Sequence, residues 1–141
     1  MSTLDSLIRI HRWQLDEHRR RVAELEALAA TLRDDLQRLD AEQASEQEVV
    51  RRSDGIAYGY GSYTAALVER RQKLAKSLAE AEQRTTTARE ALAGAFQEAK
   101  RYEIAAAKRA LHQRMTEERI DQRGTDDLAA DIHRRSIGRL Y

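Results

Sequence analysis

Residues 4–50 read LDSLIRIHRWQLDEHRRRVAELEALAATLRDDLQRLDAEQASEQEVV. Taken alternately four and three places apart, they yield Leu4, Ile8, His11, Leu15, His18, Val22, Leu25, Ala29, Leu32, Leu36, Leu39, Gln43, Glu46 and Val50. Ten of these fourteen are apolar. A 3.5-residue repeat held over about six heptads keeps one seam turned towards a partner helix. The residues flanking it are rich in Glu, Asp, Arg and Gln, as a solvated face requires. The spacing predicts a first helix over about 3–52, with Ser2 or Thr3 as its N-cap.

Working outward, residues 53–63 read SDGIAYGYGSY, with Gly55, Gly59 and Gly61 inside seven positions. Glycine supplies the φ > 0 conformations of tight turns, so a chain reversal is expected in a tip over 53–62. The rhythm then resumes at Leu67, Arg71, Leu74, Leu78, Ala81, Thr85, Ala88, Leu92, Ala95, Ala99, Tyr102 and Ala106, again with ten apolar residues, here of twelve. This predicts a second helix over about 63–122, stopping before Gly124. Thr125, followed by Asp126 and Asp127, has the form of a fresh N-cap with acids in its first turn. A short tail or helix over 123–141 follows.

The two arrays predict each other's register. In an antiparallel hairpin folded near residue 57, facing positions add to about 113 or 114. That sets Leu39 against Leu74, Leu36 against Leu78, Leu32 against Ala81, Leu25 against Ala88, Val22 against Leu92 and Leu15 against Ala99. In three of these six pairs a large side chain meets an alanine, which lets helices approach while the seam stays filled. The fold expected is all-α: a long antiparallel two-helix coiled-coil hairpin, one domain over 1–141. Its first helix is about 75 Å long at 1.5 Å per residue.

Composition agrees. The 141 residues include 25 Lys+Arg and 24 Asp+Glu, 35% charged in all, against 5% aromatic, with no Pro and no Cys. Abundant good helix formers and no helix-breaking Pro suit long helices. The lack of Cys excludes disulfides, thiolate catalysis and Cys-ligated zinc. No run approaches the roughly 18 apolar residues of a membrane span, and the N-terminus lacks a secretory apolar block. A net charge of +1 supplies no bulk drive towards nucleic acid or anionic lipid.

Some bulky residues fall outside the seam. Leu7, Ile10 and Trp13 form a second stripe on the first helix, and Phe96, Ile104, Leu111 and Met115 on the second. Such stripes imply a second layer: either the chain's own tail, through Leu128, Ile132, Ile137 and Leu140, or a partner anchored on an exposed Trp. At the tip, Tyr58, Tyr60 and Tyr63 either cap the seam or form a contact loop. Residues 1–21 with 97–141 carry 15 bases against 11 acids, and 22–96 carry 10 against 13. Arg19, Arg20 and Arg21, with Lys100, Arg101, Lys108, Arg109 and Arg114, therefore make the terminal end basic. This is either a solvated face or a surface that steers an acidic partner. His11 and His18 stand about 10 Å apart along a helix, too far to share one metal ion. Adjacent carboxylates such as Asp34 and Asp35 diverge, and no phosphate-binding loop is present. The reading is of a non-enzyme with no cofactor, no metal, no nucleic acid and no small-molecule substrate.

The segments LDSLIRIHRWQLDEHRRRVAELEAL (4–28), YTAALVERRQKLAKSLAEAE (63–82) and AFQEAKRYEIAAAKR (95–109) resemble the FliJ proteins of bacterial flagellar export. The resemblance implies an antiparallel coiled coil similar to the central shaft of rotary ATP synthases, acting as a stalk. Its partners would be the flagellar export ATPase hexamer, the export-gate membrane protein and export chaperones. It would be cytoplasmic and peripheral to the inner membrane at the flagellar base. Carried over by position, Leu7, Ile10, Trp13, Arg19, Arg20, Lys108 and Leu111 would face the ATPase ring, and Tyr58, Tyr60, Tyr63 and Leu67 the gate. The other reading the residues allow is a generic coiled-coil scaffold or dimerisation protein.

Overall fold

A computed structural model describes residues 2–52 and 60–139. Every described element is helical: α1, Thr3–Arg52, and α2, Tyr60–Gly138. The glycine-rich tip falls mainly at 53–59, outside the described residues. The chain divides into two units, one of Met1–Ile10 with Glu98–Tyr141, the other His11–Gln97.

The unit His11–Gln97 is a helical hairpin. The cross-helix ion pairs fix its direction, because partner numbers fall on α1 as they rise on α2. Arg71 bonds Asp40 at 2.7 Å, Arg33 bonds Glu82 at 3.1 Å and Arg89 bonds Glu26 at 2.7 Å. These numbers add to 111, 115 and 115, flanking pairs that bracket the expected 113–114. Leu39 and Leu74 line one inter-helix groove, and Ala29 and Thr85 another, as that register requires.

Burial follows the heptads. All fourteen seam positions of α1 are withdrawn from solvent, Leu15, Val22, Leu25, Ala29 and Leu39 to 8% exposure or less. On α2, eleven of twelve are withdrawn, with Leu67, Ala81, Thr85 and Ala99 the most buried. The exception is Arg71. Its guanidinium stays in water beside Asp40, which raises its pKa above the ordinary arginine value, chiefly through their hydrogen bond. No described side chain reaches full burial, since two helices enclose no interior. The buried Thr85 hydroxyl donates to the Ala81 carbonyl at 2.8 Å, so it carries no unpaired polar group into the seam.

In the other unit, α1 begins with a reciprocal cap. The Asp5 amide donates to Ser2 Oγ at 3.2 Å, and the Ser2 amide donates to Asp5 Oδ2 at 3.3 Å. Ser2 is therefore the N-cap that the sequence offered, closing a capping box with an acid at its third position. These bonds hold the Asp5 carboxyl below its ordinary pKa, the Ser2 hydroxyl contributing most and Arg109 adding a smaller attraction. The apolar residues this unit shields are Leu4, Leu7, Ile8, Ala99, Tyr102 and Ala106.

One expectation fails here. α2 does not stop near 122 but runs through Gly124 to Gly138. The Thr125 hydroxyl donates back to the Asp121 carbonyl at 3.0 Å, and Gln122 bonds Asp126 one turn on. Those are mid-helix bonds, whereas an N-cap oxygen accepts from the turn ahead. One interior glycine costs only about 1 kcal/mol, less than breaking and renucleating a helix of good formers. The tail is one of the two covers the second stripes allow, and its described apolar residues Leu128, Ile132 and Ile137 stand 61%, 59% and 43% exposed. Leu140 lies outside the described residues.

Candidate partner-binding surfaces

The residues expected at the terminal end separate into anchors and neutralised charges. In the unit Met1–Ile10 with Glu98–Tyr141, Ile10 is 50% and Leu111 51% exposed, Lys108 is exposed, and Leu7 is half-buried. The capping box fixes where α1 starts, and α2 continues past it. From Ala107 to Arg139 every residue but the half-buried Asp131 is exposed. Ile104 and Met115 join this uncovered apolar surface, at 53% and 45%.

In the hairpin His11–Gln97, Trp13 is 61% exposed. An indole held that far in water is the type of group that anchors protein interfaces. The arginines beside it are less available than their number suggests. Arg19 bonds Asp16 at 3.3 Å, Arg20 bonds Glu17 at 2.6 Å and Arg21 lies 3.9 Å from Glu24. In the other unit, Lys100 and Arg101 are likewise paired with Glu103 and Glu98. A count of bases misses this because the balancing acids sit three residues away on the same helix face.

Of the residues expected at the tip, Tyr58 lies outside the described residues, as does the Tyr60 side chain. Tyr63 is half-buried, and its hydroxyl donates to Glu42 Oε1 at 2.9 Å, so it ties α2 to α1. Leu67 is only 7% exposed and packs in the seam. Near this end the exposed apolar groups are instead Val49 (57%) and Val68 (42%). Each is the chain neighbour of a seam residue, Val50 or Leu67, and that adjacency is the signal sequence reading passed over. Leu28, the neighbour of Ala29, was missed in the same way, and Ile120 is a further exposed apolar residue.

Among the described residues no group of three or more His, Asp or Glu could hold a metal ion, and no buried side-chain N or O lacks a partner. The inter-helix grooves are lined largely by charged residues such as Arg38, Glu42, Arg70 and Lys73. Such surfaces suit contact with another polypeptide more than enclosure of a small ligand. No described helix is long and apolar enough to cross a membrane. A family model described as "Flagellar FliJ protein" matches residues 1–138. No curated protein matches the chain, and no solved structure does.

Proposed function

The chain belongs to the FliJ family and is thus a component of the flagellar export apparatus, and from that premise we propose that it is a non-enzymatic stalk that couples the export ATPase ring to the export gate. The terminal residues Leu7, Ile10, Trp13, Arg19, Arg20, Lys108 and Leu111 dock on the ATPase hexamer. The region towards the bend, with Tyr58, Tyr60, Tyr63 and Leu67, approaches the gate protein, and the same component handles empty export chaperones. Its place of action is the cytoplasmic face of the inner membrane at the flagellar base.

One observation carries the reading: large apolar side chains stand in water where neither helix covers them, above all Trp13 and Leu111. Ion pairing of Arg19 and Arg20 makes apolar anchors, not net charge, the main source of affinity. A protein of this kind supplies no chemical energy. It shifts the ring between its states only as far as it binds one state better than another.

The test is capture of the export ATPase by the full chain and by Trp13→Ala with Leu111→Ala. Loss of one well-buried anchor costs about 2 kcal/mol or more, so affinity should fall by at least about thirtyfold. Circular dichroism should stay unchanged, because both side chains lie outside the seam. Unaltered capture by a fully helical double variant would remove the ring-binding assignment.

A further inference from the structure

Beyond Ala106 the face of α2 that continues its seam turns polar, through Arg109, Gln113 and Thr116. A different heptad begins there, offset round the helix. Positions alternately four and three places on from Leu111 reach Ile132 without a break in spacing, and every one is exposed. Leu111 lies about 140° round from Ala106 at 3.6 residues per turn, so this array looks away from the seam that α1 covers.

The array is close to a palindrome. Its ends are apolar, Leu111 and Met115 at one and Ala129 and Ile132 at the other, and its middle is polar, Glu118, Gln122 and Thr125. We propose that the 111–132 stretch of α2 pairs antiparallel with the same stretch of a second copy. Antiparallel self-pairing sets Leu111 against Ile132, Met115 against Ala129, Glu118 against Thr125, and Gln122 beside its own symmetry mate. Apolar layers then meet apolar layers, and a large side chain faces a small one, as in the seam. The Thr125 hydroxyl already donates to the Asp121 carbonyl and Gln122 to Asp126 within each helix, so the two Gln122 amides pair across the axis only by exchanging that intrahelical bond. Polar layers of this kind hold register at some cost in stability.

Charge selects the same arrangement. On one flank Arg119 meets Asp126 of the other copy, twice by symmetry. A parallel pairing in register would instead set Glu118 against Glu118. On the other flank Asp121 approaches Asp121 across the axis, a like-charge contact that keeps the association weak and reversible. The pairing covers Leu111, so it competes with any other partner for that side chain. It stands independently of whether the export ATPase is that partner.

The chain has no cysteine, which makes the geometry directly testable in the full-length protein. Gln122→Cys places two thiols beside the two-fold axis, and mild oxidation should yield a disulfide-linked dimer. Ile120→Cys, on the far side of the helix, should not link. In sedimentation equilibrium Arg119→Asp should weaken association about tenfold, the loss of two exposed ion pairs. Arg119→Asp with Asp126→Arg should restore it, and Asp121→Asn should tighten it. A 16.2 kDa particle at every concentration would overturn the proposal and leave the face to a foreign partner. Equal linking through residues 122 and 120, or no restoration by the charge exchange, would overturn the register.

Discussion

Leu25 and Leu28 are the same residue type, three positions apart on α1, and differ in one respect: Leu25 is 4% exposed and Leu28 44%. Truncation to Ala removes the same three carbons from each. At about 0.8 kcal/mol per buried methylene, the nearly complete burial of Leu25 makes its loss worth about 2–2.5 kcal/mol. That lies at the low end for core Leu→Ala changes, as expected where two helices can close over a gap. Leu28 gives up much less. Part of its shielding comes from its own helix, and Ala is the better helix former, so its truncation should cost less than about 1 kcal/mol. Urea titration followed by ellipticity at 222 nm measures both, provided the slope with denaturant is unchanged between variants. Since two-helix pairing leaves little stability in reserve, Leu25→Ala should be visibly less helical before any denaturant is added. Equal costs for the two variants, or a Leu25 cost below that of Leu28, would show that the heptad seam is not what holds α1 to α2.

Other outcomes follow from the ends of the helices. The Asp5 pKa is lowered by its Ser2 bonds, so the capping box stabilises the start of α1 above the ordinary carboxylate pKa of about 3.9 and is lost as pH falls through the depressed value. Amide exchange at residues 3–6 should accelerate in acid in the native chain, whereas Asp5→Asn should show no such acid step. Gly124 has nothing within 4 Å of where a Cβ would stand, so Gly124→Ala should stabilise α2 by about 0.5–1 kcal/mol. Slower amide exchange over 118–130 would register this. No change, or faster exchange, would mean that the backbone at 124 is not helical in solution.

The seams were legible in the sequence because heptad spacing is local arithmetic: each helix repeats its apolar face every 3.5 residues whatever it packs against. The register followed from the same arithmetic only once the glycine-rich stretch placed the bend near residue 57, because a shift by one heptad also sets bulky α1 positions against alanines on α2. Arg71 illustrates its limit. Spacing placed it in the seam, but a charged head on a long stem leaves the apolar face and finds Asp40. The candidate site was legible in outline, with Ile10, Trp13 and Leu111 all in water. Leu67, which the spacing also placed in the seam, is buried there, and the acids that pair with Arg19 and Arg20 sit one turn away.

What the sequence determined alone was therefore the two apolar seams, because periodicity acts over one or two turns; their pairing with each other, and Ser2 over Thr3 as the cap, came with the structure. The end of α2 was settled only by the tertiary structure. Gly124 and Thr125 are compatible with a stop and also with a continuing helix, and the difference is about 1 kcal/mol set against the cooperativity of the whole element. Whether an apolar side chain becomes core or anchor was likewise undecided until the other helix was in place. Burial belongs to the pair: α1 begins at its cap, and α2 runs on past it with Leu111 and Met115 left in water.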